Sequence, residues 1–398
     1  MRPVVLVVLA GLAVTGAALG ACSSDSPTGA PNGTSATGPT SCLSTSSAAC
    51  PDVYALVAAS TDYQSGGLGV LATSSNETSF ASGLDLGGDP ALASSNGHTF
   101  WVDRQGDHIF PLDECGGPHG VMNLSTGDNT VLRDPQDVAV DSGCNVWIPY
   151  YAQPELEQRS AEGAVLATVD LSSYDVDGNP NASSASWAQT SRGEEIFVTL
   201  ENLDLETPYP QPEAFSQMLV VDVATARPID VVKLAGQNPF GLTKVAGAHL
   251  YLAEPGSFQH IGEAAAGVER FDPETRQGAL VATESALGGS VVEVAVSAKE
   301  DCAAAIIAEP SSLNRTSLVA FDLKTGQVTQ MLLGETAGFD LAGLVWTQSD
   351  TRLLVGDRSG DGNYPVHAFA RGSGCALTEE PDALFLPQAP LAFHAVSH

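Results

Sequence analysis

Positive charge is scarce in this chain. Lys and Arg number 16 against 47 Asp and Glu, for a formal net charge of -31. Nucleic acid is thereby excluded as a partner, because affinity for it comes from neutralising phosphates with Lys and Arg. Aromatic residues are few, at 6%. Past the N-terminus no long apolar stripe of period 3.6 occurs, so a helical bundle is excluded. Cysteine motifs are missing too. No CxxC pair exists, and with no CxxCH there is no attachment site for c-type haem. The catalytic signatures G-x-S-x-G and H-E-x-x-H are absent. The eight His residues form no close pair, and neighbours such as Glu194 and Glu195 point to opposite faces of a strand.

Gly (40) and Pro (24) are abundant, and short β-branched runs between them dominate. The N-terminus has its own character. Met1-Arg2-Pro3 precedes an apolar run from Val4 to Ala21 that ends in Leu19-Gly20-Ala21-Cys22. Small residues at that point mark an export signal. With the Cys directly behind them, the tetrapeptide resembles the bacterial lipobox. That resemblance implies removal of residues 1–21, a lipid on Cys22 and a membrane anchor. Ser23, not Asp, follows the Cys, which favours the outer membrane if the host is Gram-negative. Residues 22–50 are rich in Ser, Thr, Gly, Ala and Pro and nearly uncharged. Such a stretch buries too little apolar surface to fold and reads as a flexible tether.

From 51 to 398 a four-part phrase recurs. One copy reads VVEVAVS, AAAIIAEP, TSLVAFDLKTG, QVTQMLLG from Val291; another begins LAGLVWTQ, RLLVGD, PVHAFARG at Leu341. First strands start near residues 91, 137, 184, 240, 291 and 341, with a last one near 390. Four strands per period of this size describe a propeller blade. The segments leading into the first strands carry Pro (GGDPAL, RDPQDV, GNPNAS, QNPFGL, QAPLAF). Pro cannot donate to a sheet ladder and belongs where a strand begins. Residues 53–86 supply only three strands, and LAFHAV at 391–396 supplies the fourth. The expected fold is therefore all-β: a seven-bladed β-propeller of four antiparallel strands per blade, closed by the C-terminal strand joining the first blade. Phrases such as LVVDVATARPIDVVKLAG and LVAFDLKTGQVTQMLLG resemble the YVTN-type repeats of bacterial surface propellers, although YVTN itself is absent. That resemblance implies the fold and an extracytoplasmic setting, and no particular activity.

Cys42, Cys50, Cys115, Cys144, Cys302 and Cys375 make an even number, as expected of disulfides in an exported protein. Turn positions suggest Cys115–Cys144 and Cys302–Cys375 between adjacent blades, with Cys42–Cys50 stapling the tether. For function, Asp134, Asp137, Asn179, Asn238, Glu293, Asp340 and His394 fall near one mouth of the channel. Carboxylates and amides converging from different blades can bind a cation or cap the lead-in loops. Asp357, Ser359, Asp361 and Asn363 place oxygens at alternate positions around Gly360 and Gly362, like the start of a calcium loop, but Ala368 stands where a bidentate Glu is needed. No firm cofactor emerges, and calcium is the one candidate. Trp101, Trp147, Trp187 and Trp346 are expected to fill inter-blade core. The Pro-rich stretch Thr207–Pro212, within an insertion at 202–215, is a stiff spacer or a partner site. The reading is a monomeric, lipid-anchored binding or scaffold propeller of the cell envelope, its ligand or partner protein unspecified. The alternative is a calcium-dependent propeller hydrolase or lactonase acting at the channel mouth.

Overall fold

The computed structural model describes residues 53–72, 78–80, 87, 89–113, 115–125, 132–204, 211–212, 215–257, 263–309, 315–337, 340–347, 349–381 and 384–396, with side chains excepted at 78–80, 211–212 and 335–337. The signal segment, Cys22, the tether, Cys42 and Cys50 lie outside these residues, as does most of the Thr207–Pro212 stretch.

Seven antiparallel sheets follow one another around a ring. Blade two is representative: Pro90–Ser95 is innermost, then His98–Asp103, His108–Leu112 and Met122–Asn123. Blades three to six start at Ala139–Val140, Ala182–Thr190, Lys244–Ala246 and Ser290–Val296. Blade seven starts at Leu341–Trp346, and its outer edge is divided between Leu377–Glu379 and Leu384–Leu386, both paired with Tyr364–Arg371. Blade one takes its innermost strand from the C-terminus. Pro390–Ala395 pairs with Val53–Ala59 in the register Ala55↔Ala395, Leu56↔His394 and Val57↔Phe393. Pro90 and Pro390 each open an innermost strand, where no ladder hydrogen bond is lost. Asp134, Asn181 and Asn238, in the lead-in segments, have φ of 58°, 52° and 59°, a conformation that Asp and Asn adopt more readily than other non-Gly residues.

The hydrophobic residues divide into seven clusters, one between each pair of neighbouring blades. Phe197, Val220, Leu250 and Phe271 join blades four and five; Leu56, Leu68, Leu92 and Trp101 join blades one and two. A sheet packed on both faces needs apolar residues at successive positions, which explains runs such as AAAIIA and VWIP. Trp101, Trp147 and Trp346 are core residues as expected, whereas Trp187 is half-buried at the edge of its cluster.

Between blades two and three lies a buried polar network. The Arg133 guanidinium donates to Glu155 (2.6 Å), Glu157 (2.9 Å) and the Leu124 carbonyl (3.0 Å), and lies 3.7 Å over the Tyr150 ring. Glu157 also accepts from the Tyr150 hydroxyl at 2.8 Å and from Arg159 at 2.7 Å. Removing one partner of such a network leaves an uncompensated buried charge. Arg133→Met should therefore lower stability by about 3 kcal/mol in urea unfolding. An unchanged midpoint would show that the network contributes nothing net.

The Cys302–Cys375 bridge is present, with Cα atoms 5.1 Å apart. It ties the outer-strand loop of blade seven back onto blade six. Cys115 and Cys144 are disulfide-bonded too. Among the described residues the expected bond between these two is not found. The Cys115 loop also leans backward, with the adjacent Gly116 against Leu56 and Val70 of blade one. The Cys144 turn faces forward, where the Ser142 amide donates to Glu194 of blade four.

Candidate functional site

Among the described residues the main cavity is a funnel of about 980 Å³ on the face formed by the first-to-second strand turns. Asn96, Gly97, Gly247 and Ala248 from those turns stand at its rim. The sequence reading looked to the opposite face, where the lead-in segments gather. The wall explains the difference. Ser94, Ala185, Ala295 and Ala395 line it, and such small side chains leave the channel wide on this side. Turn positions alone do not reveal that depth.

Lys244, Asp137 and His394 lie at the channel lining. Asp137 is buried, and its carboxylate is already occupied: it accepts from the Ser184 hydroxyl (2.6 Å) and from the amides of Ala185 (3.0 Å) and Val138 (2.8 Å). Burial pushes its pKa up to about 6, against these bonds. Ser184 in turn accepts from the Thr243 amide at 3.0 Å, so blades three, four and five are linked in sequence. Glu293 does the same between blades six and seven, accepting from the amides of Gly343 and Leu344 at 2.9 Å each. Burial raises its pKa, and Lys244 opposes the rise. The Ser95 hydroxyl accepts from the Val140 amide at 2.9 Å, linking blades two and three. These carboxylates and hydroxyls clamp the innermost strands together, the capping role weighed above against metal binding.

Lys244 is the only Lys or Arg among the described residues lining the funnel. Its nearest carboxylate, Glu293, stands 3.7 Å away, beyond hydrogen-bond distance. The two form a long ion pair, and an ammonium with three donors can serve a ligand as well as Glu293. His394 projects from the ring-closing strand beside it. Burial and the neighbouring Lys244 charge push the His394 pKa down to about 4, so its imidazole is neutral at pH 7.

Asn238 and Asp340 do not join this group. The Asn238 amide donates to the Gly256 carbonyl at 2.9 Å. Asp340 lies beside Asp357 and Arg358, its carbonyl accepting from the Arg358 amide at 2.6 Å. Asp357 caps its own turn by accepting from the Ser359 amide at 2.8 Å, and its other oxygen faces His367 at 3.5 Å. Ser359, Asp361 and Asn363 follow in the same loop. Among the described residues no group of three or more His, Cys, Asp or Glu is placed to hold a metal ion. Asp137, Asn238, Glu293 and Asp340 thus do not form one calcium centre.

The opposite mouth carries a second polar group, with contributions from blades two, three and four. Glu201 is buried and accepts from the Tyr151 hydroxyl at 3.0 Å. Burial pushes its pKa up to about 8. Burial likewise pushes Asp134 up to about 6, although Arg104 pulls the other way; Asp134 accepts from the Gln136 side chain at 2.7 Å. Asn179 donates to the Tyr151 carbonyl at 3.1 Å.

Sequence reasoning missed Lys244, Arg104, Tyr151 and Glu201. One signal was available: Lys244 is the only Lys or Arg in the described innermost strands. The other three come together only through loop convergence.

Several solved structures share the fold. A putative 6-phosphogluconolactonase from Bacteroides uniformis matches with TM-score 0.57 at 14% identity, over 87% of this chain and 99% of that one. The periplasmic gluconolactonase PpgL of Pseudomonas aeruginosa matches with TM-score 0.53 at 15% identity, over 87% and 99%. The dihydro-heme d1 dehydrogenase NirN matches with TM-score 0.54 at 14% identity, over 88% and 76%. At these identities the likeness is one of fold alone. No family model and no curated protein matches the chain.

Proposed function

We propose that this chain is an exported lipoprotein, anchored through Cys22, whose propeller is a binding module holding a small polyhydroxylated or carboxylated ligand in the funnel. The observation that carries the reading is Lys244: a lone cation with donors to spare in a funnel of about 980 Å³. Volumes of this size suit metabolite-sized ligands, with a few polar groups fixing orientation against apolar walls. Leu92, Leu344 and Phe393 supply apolar wall, and Thr243 and Thr347 supply hydroxyls. The disulfides support an oxidising compartment. The lipobox resemblance supports the anchor.

The test is calorimetric titration of the full chain with gluconate and with glucono-1,5-lactone, compounds suggested by the two lactonases that share the fold. Saturable binding without turnover is expected, weakened at least about tenfold in Lys244→Met by loss of a charge-assisted hydrogen bond. Lactone hydrolysis above the spontaneous rate, dependent on added calcium and lost in Lys244→Met, would instead establish the lactonase alternative. No binding of either compound would remove sugar acids as the ligand class. Separately, Cys22→Ser should move the protein from the membrane fraction to the soluble one.

A further inference from the structure

Arg104 lies in the second-to-third strand turn of blade two, at the mouth opposite the funnel. In a chain with so few cations, each arginine is expected to be fully engaged by carboxylates. Most are: Arg133, Arg192, Arg276 and Arg352 all donate to Glu or Asp. Arg104 does not. Its nearest carboxylate, Asp89, is 3.8 Å away, and its Nε is buried with no hydrogen-bond partner. The Arg104 side chain still retains 23% exposure, which leaves a ligand a way in. A buried N–H left without an acceptor is destabilising, and a bound acceptor would remove that cost.

The surrounding groups explain why the acids do not claim it. Asp107 is taken up by the amides of Arg133 and Asp134, at 3.1 Å each to one oxygen. Asp134 accepts from Gln136. Glu201, buried beneath, accepts from Tyr151 and holds a proton at neutral pH because burial disfavours its charge. Both Asp134 and Glu201 lie close enough to feel the Arg104 charge, yet neither forms a bond with it.

We infer that this mouth is an oxyanion site, in which the Arg104 fork receives the carboxylate or phosphate group of a small ligand, separately from anything held in the funnel. The planar guanidinium matches either group with two parallel hydrogen bonds. The protonated Glu201 is a neutral neighbour that does not repel the incoming anion. Its ionisation at higher pH adds a negative charge beneath the site and weakens binding. Asp89, Asp107 and Asp134 set the background charge, and Asp134 adds to the same trend at lower pH.

The test follows the Arg104 Nε–Hε resonance of the full chain, assigned by its loss in Arg104→Lys, during titration with sodium acetate and with inorganic phosphate in chloride buffer. A saturable shift is expected with dissociation in the millimolar range, about 1–10 mM. Response to acetate alone identifies a carboxylate ligand, and response to phosphate alone a phosphate ligand. Affinity for acetate, whose charge is constant over this range, should fall at least about tenfold between about pH 6 and about pH 9, and Glu201→Gln should abolish the part of that fall above about pH 7. Because Arg104→Lys keeps the charge, it should stay folded while losing the paired hydrogen bonds. No saturable shift with either anion up to about 50 mM would overturn the proposal. So would a pH dependence identical in Glu201→Gln. Neither result would touch the funnel, which is tested through Lys244.

Discussion

A chain ending at Gln388, lacking the closing strand, should lose cooperative thermal unfolding and elute as aggregate in size-exclusion chromatography. Three losses act together. Val53–Ala59 becomes an unpaired edge although nearly every residue in it is buried. Phe393 and Ala389 leave the cluster between blades seven and one, and Val396 leaves the cluster between blades one and two. The Pro390 and Ala389 carbonyls that accept from Arg358 and from the Ser60 amide are also gone. Truncation of a single core Phe to Ala costs about 3–5 kcal/mol. Whole-domain stability is commonly about 5–15 kcal/mol, so removing the strand consumes most or all of it. The free edge then offers a template for pairing with other chains. Melting of the shortened chain at the same temperature and with the same cooperativity would refute closure by this strand.

Glu201→Gln should stabilise the protein in alkaline solution and leave it nearly unchanged in acid. A carboxyl whose pKa is higher folded than unfolded binds its proton more tightly in the fold. The stability this lends is complete below about pH 4.5 and is lost as pH rises through about 8. A rise from 4.5 to about 8 corresponds to about 4–5 kcal/mol at full development. Gln retains an oxygen to accept from Tyr151 and cannot ionise. Urea midpoints of the two proteins should nearly coincide below about pH 4.5, diverge as pH rises from about 5 to about 8 and run parallel above that, the variant being the more stable. Asp134 and Asp137, both pushed up to about 6, give the wild type a loss of the same sign over the lower window. Those losses occur equally in the variant, so they cancel in the comparison, which is decided by the offset that develops between about pH 5 and about pH 8. Curves that coincide throughout, with no offset developing between about pH 5 and about pH 8, would mean that Glu201 is ionised within the fold, and would remove the neutral neighbour from the Arg104 site as well.

The number of blades, the strand quartets and the closing role of residues 390–395 were legible because each rests on local chemistry repeated seven times. Apolar runs bounded by Gly and Pro must become short strands, and Pro must stand where a strand begins, wherever in the ring they occur. The Cys302–Cys375 bridge followed from the same turn positions. The bonding of Cys115 and Cys144 did not, because a strand pattern carries no information about which neighbour a loop falls toward.

Residue type and spacing by themselves determined that this chain is a ring of seven sheets. Only the tertiary structure decided which polar groups are spent and which remain. Asp137 and Glu293 look like ligands in a string of letters, yet backbone amides from the next blade occupy them. Lys244 and Arg104 look unremarkable, yet they keep free donors at the two mouths. The reason is physical: a side chain's hydrogen-bonding capacity is consumed by whatever lies next to it in space, and in a closed ring those neighbours come from a different blade, some fifty residues away.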